Sequence, residues 1–244
     1  MNDLLKKTIS FDEDARYGFV RKFISEHGIE NCLELGSGHR GGNFYFEDLA
    51  LDYLGADDFG YYYDNEKNFV LPEKTIQYNI KDKLPFSEKK FDLIFTLDTV
   101  EHLNDDETLE NLLKESTRVA RKYVILGFPN GKYARFIDYL CLLSRFPGKI
   151  IGYTPPFWLF DHQRKQRYDS YKLIEKFLAD NNLNYEKVYQ LPPFYHLIHI
   201  AGTIFLRNNE STWLSQLFYN VLIAKNSIFI NNKRGYRYFY IINL

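Results

Sequence analysis

The chain has 244 residues, a formal net charge of −1, 26% charged and 45% hydrophobic residues, the profile of a soluble globular protein with room for one large α/β domain and its embellishments. The absence of a basic excess argues against nucleic acid as the main partner. No apolar run approaches the roughly 18 residues of a membrane span, so the expectation is a cytoplasmic protein, monomeric or homodimeric, with contact to a membrane surface left open. Met1–Lys7 lacks the apolar core of a signal peptide. Cys32 and Cys141 each sit in an apolar run, as free thiols do in a reducing compartment; no paired Cys or His spacing accompanies them, and His196 and His199, close to one helical turn apart, lack the third ligand of a metal site. Aromatic content is high, with 20 Tyr and 21 Phe, enough to fill a core and line a pocket for a flat or greasy ligand.

Ser10 and Glu13 spell a capping box. Tyr17, Val20, Phe23 and Ile24 follow at helical spacing, with Gly28 as the stop. Residues 31–35 read as a short buried strand that runs into glycines. A second strand, 51–56, ends at Asp57-Asp58, and a third, 75–80, precedes the turn Leu84-Pro85-Phe86. The fourth, 91–97, is almost continuously apolar, as a strand buried on both faces requires. Asn104 and Glu107 open a helix that buries Leu109, Leu112, Leu113, Val119 and Ala120. A fifth strand, 123–128, stops at Pro129-Asn130. Asp169 or Ser170 caps a helix with Leu173, Ile174, Phe177 and Leu178 inward, and 185–191 and 236–242 read as the sixth and seventh strands. Strands alternating with helices imply βαβ units and a mostly parallel sheet. Residues 132–166 and 193–232, apolar and aromatic, fit neither strand nor simple crossover. They read as insertions, a cap or lid on a single domain spanning 1–244.

Ligands bind such sheets beyond the carboxyl ends of the strands, beside the first strand. Gly36-Ser37-Gly38 sits there, and Gly36, Gly38 and Gly41 spell G-x-G-x-x-G with Asp57 following at about the 20-residue spacing of a ribose-binding acid. Glycines allow the sharp turn and the close backbone approach. That pattern alone suits a nicotinamide-dependent oxidoreductase as well as an adenosylmethionine enzyme.

Further segments occur in a telling order: Leu33-Glu34-Leu35-Gly36-Ser37-Gly38, Leu54-Gly55-Ala56-Asp57, Leu84-Pro85-Phe86, Phe91-Asp92-Leu93-Ile94-Phe95, Val100-Glu101-His102-Leu103 and Phe128-Pro129-Asn130. With them the chain resembles the class I S-adenosylmethionine-dependent methyltransferases, in particular their small-molecule group. The resemblance implies an α/β, Rossmann-like, doubly wound sheet of seven strands, mostly parallel with an antiparallel last strand. It implies S-adenosylmethionine as cofactor and a small-molecule acceptor. On it, Gly36, Ser37 and Gly38 form the cofactor turn. Glu34 faces the α-ammonium, directly or through water, where an acid would be unhelpful to a pyrophosphate. Asp57 accepts from the ribose hydroxyls, with Asp58 as the alternative. Asn79 and Ile80 clasp adenine, although the family usually has aspartate at the position of Asn79. Leu97 and Asp98 lie along the methionine part.

A hydroxyl acceptor benefits from a general base. His102 fits that role, since its ordinary pKa lies near 6.5, and His162 is a second candidate; a structural role remains open for both. The resemblance points to methyl transfer to an oxygen of a small or lipid-linked metabolite, a sugar or envelope-glycan precursor as first choice. A non-catalytic methyltransferase-like binding protein remains the alternative of another class. Tyr153–Phe160 reads as a roof on the acceptor pocket or as core. The segments 195–206 and 213–223 read as lid, dimer face or membrane-surface helix.

Overall fold

Every residue of the segment 91–97 is buried, and the fold is organised around it. A computed structural model describes residues 3–38, 42–58, 71–103, 105–131, 135, 167, 169–190, 235 and 237–244. Its elements are α1 (Asp3–His27), β1 (Asn31–Leu35), β2 (Asp52–Asp57), β3 (Thr75–Gln77), β4 (Phe91–Leu97), α2 (Asp106–Val119), β5 (Ala120–Pro129), α3 (Ser170–Asp180), β6 (Asn184–Gln190) and β7 (Arg237–Asn243). The strands form one seven-stranded sheet in the order β3-β2-β1-β4-β5-β7-β6. The pairs β3–β2, β2–β1, β1–β4 and β4–β5 are parallel, and the sheet turns antiparallel at its last strands. This is a Rossmann-like arrangement, with its switch point between β1 and β4.

The chain divides into two compact units. One, Arg16–Phe128 with Asp169–Val188 and Phe239–Leu244, holds most of the sheet. The other comprises Met1–Ala15, Pro129–Tyr168 and Tyr189–Tyr238. In the second unit, Asn130 Nδ2 donates to the Gly235 carbonyl and Gln190 Nε2 to the Ala15 carbonyl, each at 2.9 Å. The segments expected to form insertions, 132–166 and 193–232, lie outside the described residues apart from Arg135, as do His162, His196 and His199. Among the described residues no helix is long and apolar enough to cross a membrane, and no cluster of His, Cys, Asp and Glu is arranged to hold a metal ion.

The larger unit's core joins α1 to the sheet. Tyr17, Val20, Phe23 and Ile24 pack with Cys32 of β1, Leu93, Phe95 and Leu97 of β4, and Phe239 and Ile241 of β7. Phe19 stacks on Phe239 with ring centroids 4.0 Å apart. α1 starts earlier than its capping-box signal suggests, so Ser10 and Glu13 lie inside the helix. It ends where Gly28 adopts φ +56° and the Ile29 N–H bonds back to the Ile24 carbonyl at 3.2 Å, a glycine-terminated motif that satisfies a terminal carbonyl. At α2 the cap is Asp105 rather than Asn104: Asp105 is extended, and its carboxylate accepts the Thr108 N–H at 2.7 Å.

The Leu84-Pro85-Phe86 turn is locked by α2. Glu115 accepts the Leu84 N–H at 2.8 Å. Arg118 donates to the Phe86 and Leu84 carbonyls at 2.9 and 3.1 Å and pairs with Glu115. Asn111, one turn earlier, donates to the carbonyls of Ile80 and Asp82. Positions 111, 115 and 118 share one helix face, so this face clamps the whole 80–86 connection.

At the other end of the sheet, Asp92 is fully buried at the start of β4. It accepts from Arg121, from Lys122 at 3.2 Å and from the Glu30 N–H at 3.2 Å. Burial pushes its carboxyl up, but Arg121, the Glu30 N–H and Lys122 together hold it below the usual carboxylate range. Its contribution to stability is therefore present above the ordinary aspartate pKa of about 3.9 and lost as pH falls through the lower folded value. Asp92→Ala should lower the unfolding free energy by on the order of 2 kcal/mol at pH 7, because Arg121, Lys122 and the Glu30 N–H lose their common charged acceptor. The loss should shrink toward pH 3 in a denaturant titration.

Candidate functional site

The carboxyl ends of β1, β2 and β4 open into a cavity of about 140 Å³ lined by Leu35, Gly36, Ala56, Asp57, Asp58, Tyr78, Ile80, Thr99 and Leu103. Its floor is the turn after β1. The Gly36 N–H donates to the Ala56 carbonyl at 2.8 Å, which draws the turn onto the end of β2. Gly36 has φ +77° and packs directly on the Thr99 side chain, leaving no space for a Cβ. Gly38, at φ +65°, turns its N–H onto Asp57 Oδ2 at 2.8 Å. One Asp57 oxygen thus fixes the turn from β2, while the residue still lines the cavity. Ser37 is buried, and its Oγ has no hydrogen-bond partner among the described residues.

Opposite the turn, β4 ends at Asp98 with φ +54°, a left-handed backbone that costs a non-glycine residue about 1–2 kcal/mol. Such strain gathers where surrounding contacts over-determine a functional geometry. Here the contacts are the Asp98 N–H on the Gly127 carbonyl at 2.8 Å and an ion pair between the Asp98 carboxylate and Arg16 of α1. A short 3-10 turn, Val100–His102, follows, and carries His102 half-buried beside the cavity residue Leu103.

Glu34 lies beneath the turn. It is fully buried, and its two oxygens accept from Tyr17 of α1, at 2.7 Å, and from Tyr53 of β2. Tyr53 in turn accepts the Gly42 N–H at 2.6 Å. Burial drives the Glu34 carboxyl up to about 7, against the opposing pull of Tyr53, Tyr17, Gly42 and Arg16. Burial and then Glu34 itself push both phenols above their ordinary range, so they remain donors. Glu34 does not line the cavity. It ties α1, β1, β2 and the segment after the glycine turn into one buried knot.

Of the residues expected from sequence, Gly36, Asp57, Asp58 and Ile80 line the cavity, and Ser37 and Gly38 complete its turn. Asn79 is exposed, and its side-chain oxygen accepts the Lys81 N–H at 3.0 Å, closing a local turn. Strand β3 ends at Gln77, earlier than the pattern suggests, because Tyr78 bends inward and its hydroxyl donates to the Asp82 carbonyl at 2.8 Å. Leu97 packs in the core. Sequence reasoning missed Leu35, Ala56, Tyr78, Thr99 and Leu103 as cavity lining. The first two read as ordinary core positions, and Tyr78 gave no signal beyond an aromatic at a strand end.

The cavity suits the nucleoside half of S-adenosylmethionine. Leu35, Ala56, Ile80, Leu103 and the Tyr78 ring offer an apolar surface to a flat base. Asp57 and Asp58 offer carboxylate acceptors to a diol.

The family model described as "Methyltransferase domain" matches residues 33–127. No curated protein matches the sequence. Among solved structures, the methyltransferase domain of bacterial CtHen1 superposes with a TM-score of 0.56 at 13% identity, covering 95% of this chain and 98% of that one. A putative sarcosine dimethylglycine methyltransferase from Galdieria sulphuraria gives 0.52 at 12%, covering 93% and 84%. The small RNA methyltransferase HEN1 gives 0.52 at 14%, covering 95% and 25%. At these identities the structural likenesses establish the fold. That fold is shared with an enzyme named for small RNA, so it does not carry the expected exclusion of nucleic acid.

Two outcomes follow for the turn. Gly36→Ala should abolish binding of S-adenosylhomocysteine in calorimetry and lower stability by at least about 1–2 kcal/mol, because the added Cβ meets both a left-handed backbone and Thr99. Glu34 sets a pH dependence. Its carboxyl rises from an ordinary 4.5 to about 7 in the fold, so the folded state binds the extra proton between those values. Stability should then be greatest below pH 4.5 as far as Glu34 is concerned, and fall by about 3 kcal/mol as pH rises through 7. Glu34→Gln should flatten that slope in unfolding free energies measured from pH 5 to 8.

Proposed function

We propose that this chain, which carries a class I S-adenosylmethionine-dependent methyltransferase domain, methylates an oxygen of a small or lipid-linked metabolite, a sugar or envelope-glycan precursor. The observation that carries the cofactor half of this reading is the cavity at the carboxyl ends of β1, β2 and β4, where Asp57, Asp58, Tyr78 and the Gly36 turn converge. The net charge of −1 supports a small acceptor over a polyanion.

When bound, S-adenosylmethionine supplies a methyl group activated by its sulfonium. Gly36, Ser37 and Gly38 would hold the turn against it, and Asp57 and Asp58 would accept from the ribose hydroxyls. Asp98, fixed by Arg16, would serve the methionine part. The chemistry the cofactor would supply is displacement at the sulfonium methyl, for which the acceptor hydroxyl must be held in line at near-attack distance. His102, on the turn after β4, would take the proton that the hydroxyl loses. His162 is a second candidate for that step and lies outside the described residues.

Transfer of labelled methyl across panels of sugars, lipid-linked saccharides, amines and RNA tests the acceptor class. The label is expected on an oxygen of a saccharide. His102→Ala should then lower turnover by about 10²–10⁴-fold with affinity for S-adenosylhomocysteine unchanged. Label appearing on RNA or on an amine would overturn the acceptor assignment, and full turnover without His102 would overturn its role.

A further inference from the structure

We infer that Asn111 of α2 is a positioning residue for the nucleoside half of the cofactor, acting on the cavity wall through the backbone of Ile80 and Asp82. The inference rests on the cofactor occupying the cavity described above.

Two cavity residues, Tyr78 and Ile80, stand on a segment that has already left β3. Past Gln77 the segment keeps one bond to β2, the Tyr78 N–H on the Asp57 carbonyl at 2.7 Å, and then leaves the sheet. Its own internal bonds are a turn from the Asp82 N–H to the Asn79 carbonyl at 2.9 Å and the Asn79 side chain on the Lys81 N–H. These shape the turn without attaching its far side, and the exposed ion pair of Lys81 with Asp105 at 3.7 Å adds little. The hydrogen-bonded attachment beyond Tyr78 comes from Asn111. Its Nδ2 donates to the Ile80 carbonyl at 2.9 Å and to the Asp82 carbonyl at 3.1 Å. The Asp82 carbonyl also accepts the Tyr78 hydroxyl at 2.8 Å.

One carbonyl therefore receives both the helix and the ring that forms the cavity wall. A carboxamide has two N–H donors on one nitrogen, so a single Asn can grip two carbonyls, whereas Asp at the same place has none to give. Tyr78 is 8% exposed, its backbone is held on Asp57, and its hydroxyl is tethered to the Asp82 carbonyl. Removing Asn111 frees the Asp82 carbonyl to drift and takes the hydroxyl end of the Tyr78 ring with it. Glu115 and Arg118 still hold Leu84 and Phe86, so the rest of the connection keeps its anchor. Hydrogen-bonded support of this kind acts on how well a wall is preorganised for a ligand more than on whether the protein folds.

The test uses the full chain and calorimetric binding of S-adenosylhomocysteine and 5′-methylthioadenosine, which share the adenosine half. Asn111→Ala is expected to weaken both ligands by about the same factor, roughly tenfold, the scale of one or two lost hydrogen bonds. Asn111→Asp keeps the side-chain shape without the donors and should lose as much. Tyr78→Phe keeps the packed ring, removes only the hydroxyl, and should weaken both ligands several-fold.

The discriminating readout is the double variant Asn111→Ala/Tyr78→Phe. Because both groups act on one carbonyl, its loss should fall well short of the product of the single losses. Losses that multiply, or an Asn111→Ala protein that binds both ligands within about twofold of wild type, would overturn the inference. If Asn111→Ala does not fold, Tyr78→Phe with Asn111→Asp carries the same cycle. Wild-type protein that binds neither ligand would instead overturn the cofactor assignment on which the inference stands.

Discussion

The close approach of Gly36 to Thr99 governs the ligand end of this protein. Two strands adjacent in the sheet, β1 and β4, end at the same level, and their following turns must pass each other. With a Cβ on residue 36 they cannot, because that atom would overlap the Thr99 side chain. A positive φ at Gly36 and another at Asp98 let both turns bend away at once. The space left between them and the end of β2 is the cavity. Its other features, Asp57 on the Gly38 N–H and the carbonyl of Ala56 on Gly36, keep that geometry from relaxing.

Buried polar contacts support the turn from behind. Glu34 collects hydroxyls from Tyr17 and Tyr53, and Arg16 reaches Asp98 from the same helix. α1 thus touches the ends of both central strands through neighbouring residues, one on each side of the switch point. A buried carboxylate is costly, as its raised pKa records. Its return is a fixed relation between α1, β1 and β2 that apolar packing alone would leave free to slide. The cost falls on stability and the benefit on the precision of the site, a division expected where function and folding compete.

Two of the motifs that carry the resemblance have structural explanations. The Leu84-Pro85-Phe86 turn makes no contact with the cavity. Its backbone is the docking point for Glu115 and Arg118, and so fixes how the connection after β3 reaches β4. Asp92 in the Phe91–Phe95 segment anchors Arg121, Lys122 and the Glu30 N–H at the end of the sheet away from the ligand. A motif read from sequence marks a demanding position. Whether the demand comes from a ligand or from the scaffold is a matter of which side of the strand end it falls on.

Strand order of burial, the glycine turn and the acid at the end of β2 were legible in the sequence because each depends on local pattern. Period-2 and continuous apolar runs specify strands, glycines specify a left-handed turn, and Asp57 is the last residue of its strand. Glu34 was legible as an acid beside the turn but not as a buried one, since its partners Tyr17 and Tyr53 lie 17 and 19 residues away. Asn79, an adenine contact by resemblance, bonds its own backbone two residues on, a pairing that position alone does not reveal. Tyr78, Thr99 and Leu103 became cavity lining only when three strand ends met. By itself the sequence determined most of the described elements and their order, which rest on short-range periodicity and motif. The tertiary structure decided which side chains face the ligand and which hold the frame, because that depends on contacts between residues far apart in the chain.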